Sequence, residues 1–179
     1  MKLITLICSF IFIGLTSYGQ SLIDNYPAIK FEKELIDTND SLKIIVLENE
    51  DFLDQMGDGG GKLKAYYNTE LDVKKIEVIL FKSLGIQQYT FYAINEKLIF
   101  IKDRFKQFEF NIETNTFDYS KFDGGYYGAY IFEKNKLIDL VSTGHNRFED
   151  DAIDAETTFK IEFNSYLSLI KNKLSNSKN

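Results

Sequence analysis

The sequence contains very few of the residues that build metal centres and disulfides. Its 179 residues include one cysteine, one histidine, one proline and no tryptophan. One histidine and one cysteine cannot supply the several nitrogen or sulfur ligands of an ordinary zinc site. The absence of tryptophan also removes the largest flat aromatic side chain on which a sugar ring could stack. Because the sequence lacks the ligands of a metal centre, we expect no cofactor.

The chain also lacks an excess of positive charge. It carries 27 acidic and 21 basic side chains, for a formal net charge of −6. Because affinity for nucleic acid depends on cations that neutralise phosphates, we expect no nucleic-acid partner. Hydrophobic residues make up 44% and charged residues 27% of the chain, which is typical of a globular domain and excludes a disordered one.

The N-terminus has the pattern of an export signal. Lys2 precedes an apolar run over 3–15, and small residues follow at Ser17 and Gly19. The run is too short to span a bilayer comfortably, and the small residues fit cleavage after Gly19. An uncleaved anchor and a buried N-terminal strand are the alternatives. The pattern predicts a signal peptide over 1–19.

Cleavage at this site leaves one domain over 20–179, which we expect in the periplasm or outside the cell. Cys8, the only cysteine, departs with the signal. The mature chain then has no disulfide, no thiolate chemistry and no stable membrane span, so its apolar core must hold it together.

The centre of the chain predicts antiparallel hairpins. From Leu63 to Thr143, short runs of alternating apolar and polar residues are separated by turn signals such as Asn95-Glu96 and Lys134-Asn135. The runs recur at intervals of about 8–12 residues, which favours hairpins over helical crossovers. We expect a meander of about seven or eight strands.

Helices are predicted at both ends of this meander. Apolar residues after Asp151 recur at spacings of three and four, which indicates a long amphipathic C-terminal helix capped by Asp150 or Asp151. Residues 21–37 indicate a short helix with Pro27 in its first turn. The predicted fold class is therefore α+β.

Several segments together resemble a known group of proteins. They include Gly59–Leu63, Phe117-Asp118-Tyr119 and the stretch from Gly144 to Asp151. Over most of 59–170 the chain resembles small exported proteins of unknown function from Gram-negative bacteria, built from aromatic hairpins. The resemblance implies export and an antiparallel β fold, and it supplies no catalytic residue to transfer.

His145 is a candidate for acid–base chemistry. It lies between Ser142 and the acidic residues Glu149, Asp150 and Asp151. A hydrolase would use the imidazole as a general base oriented by a carboxylate. The alternative is a strand-to-helix junction whose side chains cap and solvate the chain, and we favour it because nothing in the sequence places a nucleophile.

An acidic loop supplies the candidate metal ligands. Its carboxylates do not follow the spacing of a calcium-binding EF-hand loop, so a solvated acidic surface is the alternative. The weak candidates for calcium are Glu50, Asp51, Asp54 and Asp58.

Two tyrosine pairs are candidates for a partner surface. Neighbouring residues on a strand point to opposite faces, so one ring of each pair faces outward if the other faces the core. The candidates are Tyr66, Tyr67, Tyr126 and Tyr127.

These observations favour an exported, non-catalytic binding or interaction module for a protein, peptide or envelope ligand. A small exported hydrolase using His145 and a calcium-tuned structural protein of the envelope are the alternatives. The sequence names no ligand.

Overall fold

The computed structural model describes residues 21–53, 59–149 and 153–176. Seven strands form one antiparallel sheet in which each strand pairs with the next along the chain, so the predicted α+β meander is confirmed. The predicted signal peptide over 1–19 and the mature N-terminus at Gln20 lie outside the described residues. The strands are β1 (Lys43–Glu48), β2 (Gly61–Tyr67), β3 (Val73–Lys82), β4 (Gly85–Ile94), β5 (Lys97–Asn111), β6 (Thr116–Glu133) and β7 (Lys136–Thr143).

Two-residue turns join β4 to β5 and β6 to β7 at the predicted positions. Asn95 and Glu96 have φ of 49° and 62°, and Lys134 and Asn135 have φ of 50° and 64°. Positive φ at both central residues gives a turn whose twist matches that of the strands it joins. The local turn chemistry therefore sets the register of both hairpins.

The C-terminal helix, α2 (Ala155–Asn176), covers one face of the sheet. It begins at Ala155, where the Asp154 carboxylate accepts a hydrogen bond from the Thr157 amide at 2.8 Å. The predicted caps Asp150 and Asp151 lie outside the described residues. The predicted apolar stripe is buried against the sheet; its members are Ala155, Phe159, Phe163, Leu167, Ile170 and Leu174.

Aromatic rings form the centre of this core. Phe159 contacts Tyr130 at a centroid distance of 4.6 Å and Phe148 at 5.0 Å. Phe163 lies 6.1 Å from Phe91. Burying one such ring contributes about 1.5–3 kcal/mol, so α2 is an integral part of the fold.

The N-terminal helix, α1 (Pro27–Asp37), crosses the opposite face, with Pro27 in its first turn as predicted. A short 3-10 helix (Leu22–Asn25) precedes it. At one end the Tyr26 hydroxyl donates to Asp139 of β7 at 2.7 Å; at the other, Lys75 of β3 contacts Asp37 at 3.0 Å. The sheet therefore has an α2 face and an α1 face, each covered by one helix.

The two longest strands extend beyond their neighbours. Pairing of β4 with β5 ends at Gly85 opposite Gln107, and pairing of β6 with β7 begins at Tyr127 opposite Thr143. Residues 108–122 therefore form a projecting two-stranded hairpin, which we call the ribbon. In the described part of the chain, no helix combines the length and apolar character needed to cross a membrane.

Candidate functional site

Each tyrosine pair has one ring on the α2 face and one on the α1 face of the sheet. Tyr67 packs against the core beneath α2, whereas the Tyr66 hydroxyl donates to Glu77 on the α1 face at 2.9 Å. Tyr126 lies on the α2 face and Tyr127 on the α1 face. Because three strands separate β2 from β6, the four rings do not form one surface.

Tyr126 lines a cavity of about 680 Å³ on the α2 face, at the base of the ribbon. Its ring stacks on Phe105 at 5.9 Å, and its hydroxyl donates to the Gln87 amide oxygen at 2.9 Å. Leu84 and Ile153 add apolar surface. The cavity therefore combines apolar walls with polar groups that are already held in place.

A buried carboxylate lies behind this lining. Asp103 is 0% exposed, and the Gln87 amide nitrogen donates to it at 2.5 Å. Burial raises the pKa of Asp103 to about 6, although Arg147, Gln87 and Tyr126 act in the opposite direction. The sequence analysis did not single out Asp103, but its position between the inward-facing Ile101 and Phe105 is the signal that could have found it.

Arg147 lines the same cavity without offering a free charge. Its guanidinium donates to both carboxylate oxygens of Glu162 on α2, at 2.6 and 2.9 Å. It also lies over the rings of Phe148 and Tyr89, at 4.7 and 5.3 Å from their centroids. A bidentate pair of this kind ties the junction before α2 to the helix itself.

His145 stands at the mouth of the cavity. Its side chain is 92% exposed, and its Nδ1 atom pairs with the Glu149 carboxylate. The Ser142 hydroxyl accepts a hydrogen bond from the Asn146 side chain at 2.8 Å instead of contacting the imidazole. Asp151, the other proposed carboxylate, lies outside the described residues.

The candidate calcium residues are only partly described. Asp51 pairs with Lys173 of α2 at 2.8 Å, and this hydrogen bond lowers the pKa of Asp51. Glu50 is exposed beside it, whereas Asp54 and Asp58 lie outside the described residues. Across 21–53, 59–149 and 153–176, no group of three or more acidic, histidine or cysteine side chains is arranged to hold a metal ion.

The ribbon carries a cluster of aromatic rings around Phe108. Tyr119 meets Phe108 edge-on at 5.1 Å, and Phe122 stacks on it at 5.4 Å. Phe110 and Phe117 form a further pair at 5.0 Å. Phe108 is buried, whereas Tyr119 is 66% exposed and Phe122 is 47% exposed.

A bulge in β6 produces this arrangement. Phe122 is opposite Phe108 and Asp118 is opposite Glu109, so residues 119–121 have no counterpart on β5. The Asp118 carboxylate holds the bulge by accepting from the Ser120 amide at 2.9 Å. Bulges redirect side chains, and this one places Tyr119 over Phe108.

A second cavity, of about 560 Å³, opens beside these rings. Phe81, Phe108 and Tyr119 line it, and Lys82 and Ser83 are common to it and to the cavity around Tyr126. The ribbon base thus has a cavity on either side of the β3–β4 turn. The sequence analysis predicted strands here, but nothing in the alternating pattern indicated that these rings stay uncovered.

Comparisons with known proteins supply no relative from which a site could be transferred. The chain matches no family model, no curated protein and no solved structure. The resemblance to small exported proteins of Gram-negative bacteria stays a prediction. The candidate site therefore depends on geometry, and the ribbon with its two basal cavities combines exposed aromatic rings with concave surface.

Proposed function

We propose that the protein is an exported, non-catalytic interaction module that binds an extended segment of a partner protein along the ribbon. The observation that carries this proposal is the exposure of large apolar side chains on 108–122. Ile112 is 85% exposed and Tyr119 66% exposed. Clustered exposed apolar side chains of this size are typical of interaction sites.

The shape of the surface favours a protein over a small molecule. Small ligands bind in concave sites that bury most of their surface, whereas the ribbon is long and open. Aromatic rings at a well-packed centre are the usual anchors of protein interfaces. Phe108 supplies such a centre, and Tyr119 and Phe122 present their outer surfaces to a partner.

The charge of the ribbon favours a partner segment with basic side chains. Within 108–122 there are three acidic residues, Glu109, Glu113 and Asp118, and one basic residue, Lys121. This balance opposes binding to an anionic lipid surface, which attracts basic segments. It suits a segment in which lysine or arginine alternates with apolar residues.

The groups near His145 favour binding over hydrolysis. The imidazole pairs with Glu149 at the exposed rim, and the nearby Ser142 hydroxyl is engaged by Asn146. Nucleophilic catalysis needs a hydroxyl in hydrogen-bond contact with its base.

Export is proposed from the sequence pattern of 1–19, and N-terminal sequencing of the secreted protein tests it by the appearance of Gln20.

The binding proposal is tested by selecting displayed random peptides on the chain that begins at Gln20. We expect enrichment of extended peptides that combine apolar and basic residues. The double variant Tyr119→Ser/Phe122→Ser should weaken their binding by about tenfold or more, because it removes both exposed anchors. Phe31→Ser, at an exposed ring on α1, is the matched control and should leave binding unchanged.

Circular dichroism of each variant establishes that the sheet is retained. The proposal is contradicted if no peptides are enriched, or if Phe31→Ser weakens binding as much as the ribbon variant. The proposal is also contradicted if the protein binds anionic lipid vesicles through the ribbon and binds no peptide. The partner would then be a membrane and not a protein.

A further inference from the structure

We propose that a third cavity, on the α1 face, binds a small molecule through a phosphate or carboxylate group. The cavity has a volume of about 370 Å³ and lies on the opposite face from the cavity around Tyr126. Lys102 and Arg104 project into it from β5. This site is independent of the ribbon and of the peptide binding proposed there.

The register of the strands places the residues that line the cavity beside one another. Gln88, Arg104 and Tyr127 lie opposite one another on β4, β5 and β6, and Thr90 lies opposite Lys102 in the next row. Lys102 and Arg104 are two residues apart, so they share a face with a spacing of about 7 Å between backbone positions. Both cationic groups can therefore reach one anion.

Neither cation is neutralised by the protein. Lys102 and Arg104 form no ion pair and no side-chain hydrogen bond with any residue in the described ranges. Lys102 is half-buried, and burial, followed by the nearby Lys33 and Lys75, lowers its pKa, which Asp37 partly offsets. A half-buried cation flanked by two others gains from a bound anion.

Two acidic groups, Glu77 in the cavity lining and Asp37 close enough to affect Lys102, are already paired with lysines. Glu77, which also lines the cavity, accepts from the Tyr66 hydroxyl at 2.9 Å and pairs with Lys75 at 2.8 Å. Asp37 pairs with Lys33 at 2.6 Å and with Lys75 at 3.0 Å. Lys102 and Arg104 therefore lack an ion-pair partner among the described residues, in a protein whose net charge is negative.

The remaining lining indicates what the anion is attached to. Gln88 and Thr90 offer neutral hydrogen-bonding groups, and the Tyr127 ring and Ile79 offer apolar surface. The forked guanidinium of Arg104 suits the paired oxygens of a phosphate or carboxylate, while Lys102 acts as a point charge. A small organic anion with a flat apolar portion matches this combination.

The experiment is calorimetric titration of the chain beginning at Gln20 with inorganic phosphate, phenyl phosphate and benzoate. We expect saturable binding of at least one probe. Lys102→Gln and Arg104→Gln should each weaken it by about tenfold or more, because each removes a charged hydrogen-bond donor. Lys97→Gln, which removes an exposed charge from the same strand, is the matched control.

The probes distinguish the source of the anion. Tighter binding of phenyl phosphate or benzoate than of phosphate identifies an organic ligand held beside Tyr127, and equal binding identifies the free ion. Arg104 is exposed, so its variant keeps the proposal testable even if the Lys102 variant does not fold. The proposal is overturned if no probe binds saturably, or if Lys97→Gln weakens binding as much as the other two variants.

Discussion

β5 and β6 each pass through two different environments. Near the β4–β5 and β6–β7 turns, helices cover both faces, and Phe100, Ile101, Tyr130 and Ile131 are each at most 1% exposed. In the ribbon, the same two strands carry rings that no helix covers among the described residues. Both regions have aromatic strands, but helices bury the rings in the body of the sheet, whereas in the ribbon Phe108 is buried by Tyr119 and Phe122, which stay exposed themselves.

The two regions also differ in how they are held together. The body of the sheet gains from burying apolar surface on both faces, whereas an isolated two-stranded hairpin is marginally stable in water. The ribbon compensates with ring pairs around Phe108 and with the Asp118 side chain that holds its bulge. The proposed binding surface is therefore held by local contacts within the ribbon and not by a covering helix.

The largest expected effect is in the covered region. Phe159→Ala removes a fully buried ring that contacts Tyr130 and Phe148, and should lower the free energy of unfolding by about 3–5 kcal/mol. Urea denaturation measures this change. Ile161→Ala, on the exposed side of the same helix, is the control and should change stability by less than about 0.5 kcal/mol. Equal losses of stability in the two variants would mean that the Phe159 side of α2 is not packed against the sheet.

An intermediate effect is expected at the junction of the two regions, where Asp103 is buried. Its folded pKa of about 6 exceeds the ordinary aspartate value of 3.8, so the folded state binds more protons at this group than the unfolded state between these pH values. The contribution of Asp103 to stability should therefore fall by about 2–3 kcal/mol as pH rises from about 4 to about 7.

Asp103→Asn tests this pH dependence because it keeps the shape and removes the charge. The variant should lose this decline and be more stable than the parent at pH 7. Urea denaturation of both proteins between pH 4 and pH 8 measures the difference. If the stabilities of the two proteins have the same pH dependence, burial does not raise the pKa of Asp103.

The smallest effect on stability is expected in the ribbon. Tyr119→Ala removes an exposed ring and one edge-on contact with Phe108, so it should cost about 0.5–1 kcal/mol. Thermal denaturation measures this cost. A loss as large as that of Phe159→Ala would place Tyr119 in the core and erase the contrast between the two regions.

Several features of the fold could be predicted because they depend on neighbours along the chain. Alternation along the strand placed Tyr126 and Tyr127 on opposite faces of β6, where the structure has them. The three-and-four spacing identified the buried face of α2. The start of α2 differs from the prediction because Asp154 supplies the capping oxygen.

The candidate sites were less predictable because their members come from distant parts of the chain. The Gln87–Asp103–Tyr126 cluster joins three strands, and the Arg147–Glu162 pair joins a loop to a helix. The cavity around Lys102 exists only because register aligns β4, β5 and β6. None of these contacts leaves a short-range pattern, apart from a charged residue at an inward position of β5.

Local order in this protein was readable from the order of its amino acids, since alternation, turn residues and helical spacing act between residues a few positions apart. Which strand surfaces are covered, which carboxylate is buried and which cations stay unpaired depended on how α1 and α2 lie across the sheet. Those outcomes arise from packing between segments far apart in the chain, where burial and charge pairing are set by three-dimensional neighbours.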